Sequence, residues 1–323
     1  NMLALQSRIG SKIAGPEAFG AKTNAVIEAD FFGTLEEYKN MLRIRQAFMS
    51  LKWDKASLIM GMYPHPLFTP ECFPSVIGFG AAVPYNPLNS SPQIRFDYQA
   101  TETVKIVASA IEHSQGYHHS VGPEFSQRNA EIPDIQLQAH LKVGNSLIGI
   151  GGGYHELQPR VTVYKLVENK RVKYINEEKM QAFNAIAFAN LALGRFTIKA
   201  KVVAGQNLTH QIMLGGYGRI YDDMLPGTDS LVTDPLRLGR DTTFVTNPNF
   251  HYTGLITYAN WLDVNYKASE NISIGLFTGI SGNLGATEKI TKTKNPYFYE
   301  RNADIAYMIR LAPRVSYTIK KLR

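Results

Sequence analysis

The chain has 323 residues, 44% of them hydrophobic and 19% charged, and its 34 Lys and Arg residues exceed its 27 Asp and Glu residues to give a net charge of +7. No run of about 18 consecutive apolar residues occurs, which excludes a membrane-spanning helix. A single cysteine, Cys72, excludes an internal disulfide and a cysteine-based zinc cluster, and we expect it to have a packing role.

The basic residues are dispersed along the chain rather than clustered in tracts. A positive balance suits nucleic acids, anionic surfaces or anionic small solutes, and the lack of Lys/Arg tracts argues against nucleic acids. The chain begins at Asn1 without a charged and apolar signal segment. We therefore expect a processed or trimmed product.

Period-two alternation between turn residues predicts about thirteen β-strands. The predicted strands are 5–14, 21–32, 40–52, 56–63, 93–99, 103–111, 134–143, 146–166, 181–193, 195–204, 252–267, 271–279 and 304–319. Two segments have a second interpretation. Segment 177–193 also fits an Ala-rich helix, and the glycines at 151–153 interrupt the strand that begins at Ser146.

The connections between the predicted strands alternate between short and long. "WDK", "ATE", "GN", "GR" and "ASE" are tight, whereas 64–92 and 205–250 are among the long connections. Antiparallel neighbours are joined at alternating ends, so all tight turns fall on one rim and all long loops on the other. Transmembrane β-barrels are built in this way, whereas soluble sandwiches have no reason to keep short and long connections on opposite rims.

Charge placement predicts which face of each strand is wet. In "DIQLQAHLKVGN" (134–145) the apolar and polar residues occupy opposite faces, and strand 304–319 shows the same alternation. An Arg or Lys facing lipid at mid-membrane costs about 2–4 kcal/mol, so the charged faces should line the lumen. The predicted lumenal basic residues are Arg8, Lys12, Arg43, Arg45, Arg95, Lys105, Lys142, Lys199, Lys201, Arg310 and Arg314. Their predicted acidic companions are Glu28, Asp30, Asp97, Asp134 and Asp263.

Aromatic residues beside the tight turns predict an interfacial girdle on the lipid face. The candidates are Trp53, Tyr98, Phe196, Tyr266 and Tyr317. In "LRIRQAFMSLKW" the alternation fails after Gln46, which predicts a β-bulge there.

Two segments carry a resemblance to a known family. "SRIGSKIAGPEAFGAKTNAVIEADFFG" and "RIRQAFMSLKWDKASLIMGMYPHPLF" resemble the first hairpins of general bacterial trimeric porins, and most of all the anion-accepting, dicarboxylate-type (DcaP-like) porins. The likeness covers most of the chain and is one of pattern rather than of a diagnostic motif. It implies one barrel domain over 1–323, a homotrimer in the bacterial outer membrane, and sixteen strands in the full protein. One strand before "SRIGSK" and two after "YTIKKLR" would then be missing from this chain.

The resemblance also implies that loop 64–92 folds into the lumen as a constriction loop, with Phe68, Glu71, Phe73, Phe79 and Tyr85 as its candidate contact residues. The expected function is passive diffusion of small, preferentially anionic solutes such as carboxylates, with no enzymatic activity and no cofactor. Arg43, Arg45 and Arg95 flank the loop, and their planar guanidinium groups suit carboxylates. The alternative is that these arginines pair with nearby acids and brace the lumen.

Other chemical signals are weak. His118 and His119, with His113 nearby, fit solvated loop histidines better than a metal site, and we predict no metal. "GIGGGYHEL" is neither a dinucleotide-binding nor a phosphate-binding loop. Two other functions stay open. One is a binding or adhesion barrel with a plugged lumen that works through loops such as 205–250, and the other is a soluble all-β protein that binds anionic ligands.

Overall fold

The computed structural model describes residues 7–31, 41–78, 82–113, 120–123, 125–167, 170–221, 250–290 and 296–319. Thirteen of its strands form a continuous wall: β1 (Arg8–Ala14), β2 (Lys22–Asp30), β3 (Arg43–Lys52), β4 (Ala56–Pro64), β5 (Ser90–Gln99), β6 (Val104–Ile111), β7 (Asp134–Val143), β8 (Ser146–Leu157), β11 (Met180–Leu193), β12 (Phe196–Gln206), β14 (Phe250–Lys267), β15 (Ile272–Ala286) and β17 (Tyr307–Tyr317). The remaining elements lie in the long connections: α1 (Ser126–Asn129), β9 (Thr162–Val167), β10 (Lys170–Ile175), a 3-10 turn (Leu208–Gln211), β13 (Gly215–Tyr221) and β16 (Tyr297–Arg301).

Every wall strand pairs antiparallel with its neighbour along the chain. The series continues from β8 to β11, β12, β14, β15 and β17. The strands inserted in the connections branch from this wall, since β13 pairs with β14 and β16 while β9 and β10 form a separate hairpin. The thirteen predicted strands are therefore the thirteen wall strands, whereas the sixteen of the full protein stay a prediction.

Three details of the sequence prediction change. The strand expected over 146–166 is two strands, because β8 ends at Leu157 and β9 begins at Thr162. The glycines at 151–153 do not interrupt β8, which pairs continuously with β7 and β11 through them. The helical interpretation of 177–193 is wrong, because β11 occupies that segment.

The predicted bulge in β3 is confirmed. Gln46 pairs with Glu28 while Ile44 pairs with Ala29, so Arg45 is the extra residue and the register shifts there. Because of the extra residue, the polar side chains of β3 point inward both before and after the break in the alternation. Arg43 and Arg45 can therefore both reach carboxylates on β2.

The tight turns depend on glycine at two places. Gly144 joins β7 to β8 with φ +57°, and Gly194 joins β11 to β12 with φ +59°. Two-residue hairpin loops require positive φ, which glycine adopts without steric cost. The strands on either side keep an unbroken register up to Val143 and Ser146, and up to Leu193 and Phe196.

The burial pattern is inverted relative to that of a soluble sheet. In β7 the polar residues Gln136 and Gln138 are 1% and 2% exposed, whereas Leu137 is 57% exposed. The same alternation holds in β5, where Gln93 and Arg95 are buried and Ile94 and Phe96 are exposed. The polar face is thus the interior face, as the charge argument predicts, and the outer surface is apolar.

Aromatic residues near the tight turns lie on the outer surface. Tyr98, Phe196 and Tyr317 are 44%, 45% and 67% exposed. Phe196 pairs directly with Tyr266 across β12 and β14, with ring centroids 4.9 Å apart. Trp53 donates from Nε1 to the Phe19 carbonyl at 3.0 Å, which ties two neighbouring turns together.

The wall curves around residues 65–89, which we call the inner loop and which the structure describes except for 79–81. The inner loop leaves β4 and returns to β5, yet it contacts Lys105 on β6, Asn190 on β11 and Lys201 on β12. It reaches further to Phe277 on β15 through Tyr85. A flat sheet could not bring these strands to one loop, so the sheet is rolled into a barrel around it. No helix in the described part of the chain is both long and apolar enough to cross a membrane.

Candidate functional site in the barrel interior

One side of the interior is apolar, and the inner loop packs there. Several inward positions of β11 and β12 are apolar, and Ile186, Phe188 and Val203 are 3%, 3% and 0% exposed. Together with inner-loop residues they form one cluster: Leu67, Cys72, Ala82, Tyr85, Ile186, Phe188, Val203, Leu208, Met213, Ala259, Trp261 and Phe277. Burial of this apolar area stabilises the docked position of the inner loop.

Lys201 holds the inner loop from the wall. Its side chain is 1% exposed, and Nζ donates to the carbonyls of Leu67 and Phe68 at 3.3 and 2.6 Å and to Asn86 Oδ1 at 2.9 Å. The Asn86 oxygen also accepts a bond from Trp261 Nε1 at 3.1 Å. Lys201 lies on the interior face of β12, but the inner loop covers it, so it does not line an open passage.

Further bonds fix the middle of the inner loop to the wall. Asp263 accepts from the Ser75 backbone N–H at 2.7 Å and forms a 2.6 Å ion pair with Arg314. Lys199 donates to the Phe73 carbonyl at 2.9 Å, and Asn190 donates to the Glu71 carbonyl at 3.0 Å. These contacts anchor the loop to β11, β12 and β14.

Cys72 lies at the centre of this contact. It is fully buried, and its Sγ lies 3.3 Å from the Ala189 carbonyl oxygen and 3.4 Å from that of Ala200. Burial raises the pKa of the thiol, despite the nearby cations Lys201 and Lys199. Cys72 thus has the expected packing role, and it is protected for as long as the inner loop stays docked.

The three arginines expected to bind carboxylates are each paired with an acid of the protein. Arg43 donates to Asp30 at 2.7 and 3.2 Å, and Arg95 donates to Asp97 at 2.6 and 3.0 Å. Arg45 is bonded to Glu28 on the same strand pair. This arrangement is the bracing alternative, because each guanidinium group already has a carboxylate partner.

Lys105 bridges two acids across the interior. Its Nζ lies 3.5 Å from Glu71 Oε1 on the inner loop and 3.9 Å from Asp97 Oδ2 on β5. Burial opposes ionisation of Glu71, but Lys105 and Arg95 outweigh it and lower the pKa of this carboxyl. A chain of alternating charges therefore runs from the barrel wall to the inner loop.

Most of the other predicted lumenal basic residues form no ion pair with a carboxylate of the described residues. Lys12 and Lys142 are exposed at the ends of β1 and β7. Arg8 lies opposite Asp30 in the β1–β2 register, and the Arg310 guanidinium lies 5.7 Å from the Phe277 ring centroid. Within the described ranges, no carboxylate lies at ion-pair distance from Lys12, Lys142 or Arg310.

The candidate constriction residues have different environments. Phe68 and Phe73 form an edge-to-face pair with centroids 5.7 Å apart, and Phe73 is 38% exposed. Tyr85 is 5% exposed and packs edge-on against Phe277, so its ring belongs to the apolar cluster and is not free to meet a solute. Phe79 lies outside the described residues.

A second group of interior residues was missed by the sequence analysis. We call it the histidine cluster: His65, His113, Asp134, His155 and His210. Oδ2 of Asp134 lies 3.3, 3.1 and 3.5 Å from Nε2 of His65, His113 and His210. The rings of His113 and His210 stack with centroids 4.1 Å apart, and His155 lies 5.2 and 5.0 Å from them.

The cluster joins four connections at the rim of the long loops. His65 opens the inner loop, His113 follows β6, and His210 lies in the 3-10 turn after β12. Asp134 begins β7 and His155 lies near the end of β8, opposite Ala182 of β11. Only Asp134 was predicted to face the interior, and no spacing links the histidines. His65, His113 and His210 follow predicted strands at their long-loop ends, which was the one available signal, whereas His155 lies in the middle of the predicted strand 146–166. His118 and His119 lie outside the described residues.

Burial governs the ionisation of the loop histidines. It lowers the pKa of His65 and of His210, although Asp134 acts in the opposite direction on both. For His210 the neighbouring His113 lowers the pKa further. The two imidazoles are therefore neutral at pH 7, and the Asp134 carboxylate supplies the charge of the cluster.

Comparison with known proteins gives a fold but no family. No protein-family model matches the chain, and no curated protein matches it. Among solved structures, the chain is similar to the outer membrane channel DcaP of Acinetobacter baumannii, with 13% identity and a TM-score of 0.64. That match covers 99% of this chain and 76% of the other.

Two further matches have lower TM-scores and carry no argument. One is a loop L8 deletion mutant of OmpT, an outer membrane protein of Vibrio cholerae, with 10% identity over 87% of this chain and 76% of the other and a TM-score of 0.48. The second is the anion-selective porin of Comamonas acidovorans, with 9% identity over 98% of this chain and 90% of the other and a TM-score of 0.43. The rolled antiparallel sheet, its inverted burial and the likeness to DcaP together confirm the predicted fold class, an all-β transmembrane antiparallel barrel.

Proposed function

We propose that this protein is a channel of the bacterial outer membrane through which small hydrophilic solutes diffuse passively. The observation that carries the proposal is the inverted burial of the wall, with polar residues inside and apolar residues outside. An apolar outer surface is stable against lipid hydrocarbon, and a polar interior admits water. The likeness in fold to an outer membrane channel supports the same function.

The inner loop is proposed to be the constriction of this channel, as expected for 64–92. Its bonds to Lys199, Lys201 and Asp263 hold it across the interior, away from the strands from which it arises. Phe73 is 38% exposed and Glu71 is also exposed, so a passing solute would meet these two residues. The loop would therefore set the size limit.

A preference for anions, carboxylates among them, is the finer part of the proposal. Basic residues outnumber acidic ones on the inward face, and Arg43, Arg45 and Arg95 are neutralised by their partners. The preference would therefore depend on Lys12 and Arg310, because Lys105 is also balanced by Glu71 and Asp97. A positive potential inside a low-dielectric wall concentrates anions and repels cations.

The resemblance to porins adds three parts to this proposal. The protein forms a homotrimer, it is surrounded by outer-membrane lipid, and the full protein has further strands. The proposal includes no catalytic role.

A plugged barrel that binds partners through its long loops is the second candidate. The dense packing of the inner loop against the wall favours it, since Leu67 and Cys72 are fully buried.

Planar-bilayer recording of the full chain tests the proposal. We expect discrete conductance steps in symmetric KCl and, under a KCl gradient, a reversal potential whose sign shows anion preference. Arg310→Gln should reduce that potential, whereas Glu102→Gln, a change in an exposed tight turn, should leave it unchanged. Absence of conductance would favour the plugged barrel, and cation preference in the native channel would eliminate the anion-selective form.

A further inference from the structure

The histidine cluster has polar atoms that the protein itself does not satisfy. His155 and His210 are fully buried, and neither ring nitrogen of either residue has a hydrogen-bond partner among the described residues. A buried polar group without a partner costs about 1–3 kcal/mol. Two such imidazoles facing one carboxylate would therefore destabilise the folded protein unless another species binds between them.

The distances suit a metal ion. One ligand atom from each of His113, Asp134, His155 and His210 can be chosen so that all four lie within 4.8 Å of one another. In a tetrahedral zinc site with bonds of about 2.0–2.1 Å, neighbouring ligand atoms are about 3.3 Å apart. Asp134 Oδ2 already lies 3.1 Å from His113 Nε2 and 3.5 Å from His210 Nε2. Small rotations of the side chains would close the remaining gap.

Neighbouring residues are placed to orient the ligands. Gln136 Nε2 donates to Asp134 Oδ1 at 2.7 Å, which leaves Oδ2 directed at the histidines. Ser120 Oγ lies 3.3 Å from His113 Nδ1, on the side of the ring away from Asp134. His65 accepts from the Leu67 backbone N–H at Nδ1, so it is fixed beside the carboxylate. Metal-ligating residues in proteins have partners of this kind.

We propose that His113, Asp134, His155 and His210 form a site for one divalent transition-metal ion, with Zn²⁺ as the chemically best match. Three imidazoles and one carboxylate are ligands that zinc prefers in tetrahedral coordination. His65 and Gln136 position the carboxylate and are not ligands. The ion would fasten together the connection after β6, the start of β7, the end of β8 and the 3-10 turn after β12.

Such a site would act on the inner loop. The Leu88 backbone N–H donates to the carbonyl of Gln211, next to His210, and Asn89 donates to the carbonyl of His210 itself at 2.8 Å. His65, at the other end of the loop, contacts Asp134. Both ends of the inner loop therefore adjoin the metal ligands, and metal binding would fix them.

The test uses the full chain without a histidine tag, folded in detergent, stripped with EDTA and then titrated with ZnCl₂. We expect one zinc per chain after desalting, measured by mass spectrometry of the metal, and a higher Tm with added zinc because the ion binds the folded state. X-ray absorption should show imidazole nitrogens at about 2.0–2.1 Å. These readouts do not require channel activity.

Variants decide whether the site is the one proposed. His155→Ala should lower zinc affinity on the order of 100-fold or more, and Gln136→Ala about 10–100-fold. His251→Ala is the matched control, because His251 bonds to Glu288 at 2.6 Å, outside the cluster, and zinc affinity should not change. If His155→Ala does not fold, the absorption spectrum of bound Co²⁺ is compared between the native chain and Gln136→Ala instead. Tetrahedral bands are expected in the native chain. Substoichiometric zinc, unchanged affinity in these variants, or a shell of water oxygens would overturn the proposal.

Discussion

Replacement of Lys201 by methionine tests whether one buried side chain holds the inner loop inside the barrel. Methionine retains most of the length and volume of lysine, so the wall should stay packed. The variant removes three donors, whose acceptors are the carbonyls of Leu67 and Phe68 and the Oδ1 of Asn86. The bonds to Leu67 and Asn86 are buried, so water cannot replace them unless the loop moves, although Asn86 Oδ1 keeps its bond from Trp261 Nε1.

The magnitude follows from the bonds. Each hydrogen bond contributes about 0.5–1.5 kcal/mol net, and a buried acceptor left without a donor costs more. Loss of the three bonds should destabilise the docked loop by about 3 kcal/mol. Because each 1.4 kcal/mol is a factor of ten in an equilibrium constant, the undocked fraction should rise about 100-fold.

Cys72 provides the assay, because it is the single cysteine of the chain and is fully buried under the docked loop. Burial excludes a maleimide reagent and also raises the pKa of the thiol, so Cys72 should react only when the loop undocks. The labelling rate in Lys201→Met should therefore exceed the native rate by about 100-fold when docking is fast relative to labelling. Gel mobility without heating would show that the barrel stays folded.

Lys142→Met is the matched control, since it removes one positive charge from an exposed site at the end of β7. Its Cys72 labelling rate should equal that of the native chain. Equal rates in Lys201→Met and the native chain would refute the anchoring role of Lys201. Rapid labelling of the native chain would refute the docked position of the loop.

Three further predictions address selectivity, packing and the outer surface. Asp97→Asn removes the carboxylate that neutralises Arg95, so the bilayer reversal potential should shift toward anions; an unchanged potential would mean that this pair is remote from the ion path. In Gly149→Leu the new side chain would overlap the Phe188 ring, which should lower Tm by several degrees, whereas Ala185→Leu on the outer face of β11 should be tolerated. Leu137→Arg on the outer face of β7 should cost about 2–4 kcal/mol in urea titrations of the chain folded in lipid bilayers, with Leu137→Ile near neutral, and equal stability of the two variants would contradict a lipid-facing surface.

The sequence by itself determined the wall of the barrel. A strand places successive side chains on opposite faces, so "DIQLQAHLKVGN" assigns Gln136 and Leu137 to different faces whatever surrounds them. The cost of a charge in lipid then fixes which face is inside. The bulge near Gln46 was predictable for the same reason, because it is a local break in the period.

The tertiary structure alone decided what the interior holds. Lys201 and Phe68 are more than 130 residues apart, and nothing in either segment specifies the other. His65, His113 and His210 meet at Asp134 because the wall curves and the loops fold inward. Alternation is a property of neighbouring residues, whereas the docked loop and the histidine cluster are made of contacts between distant segments, which only the curvature of the sheet brings together.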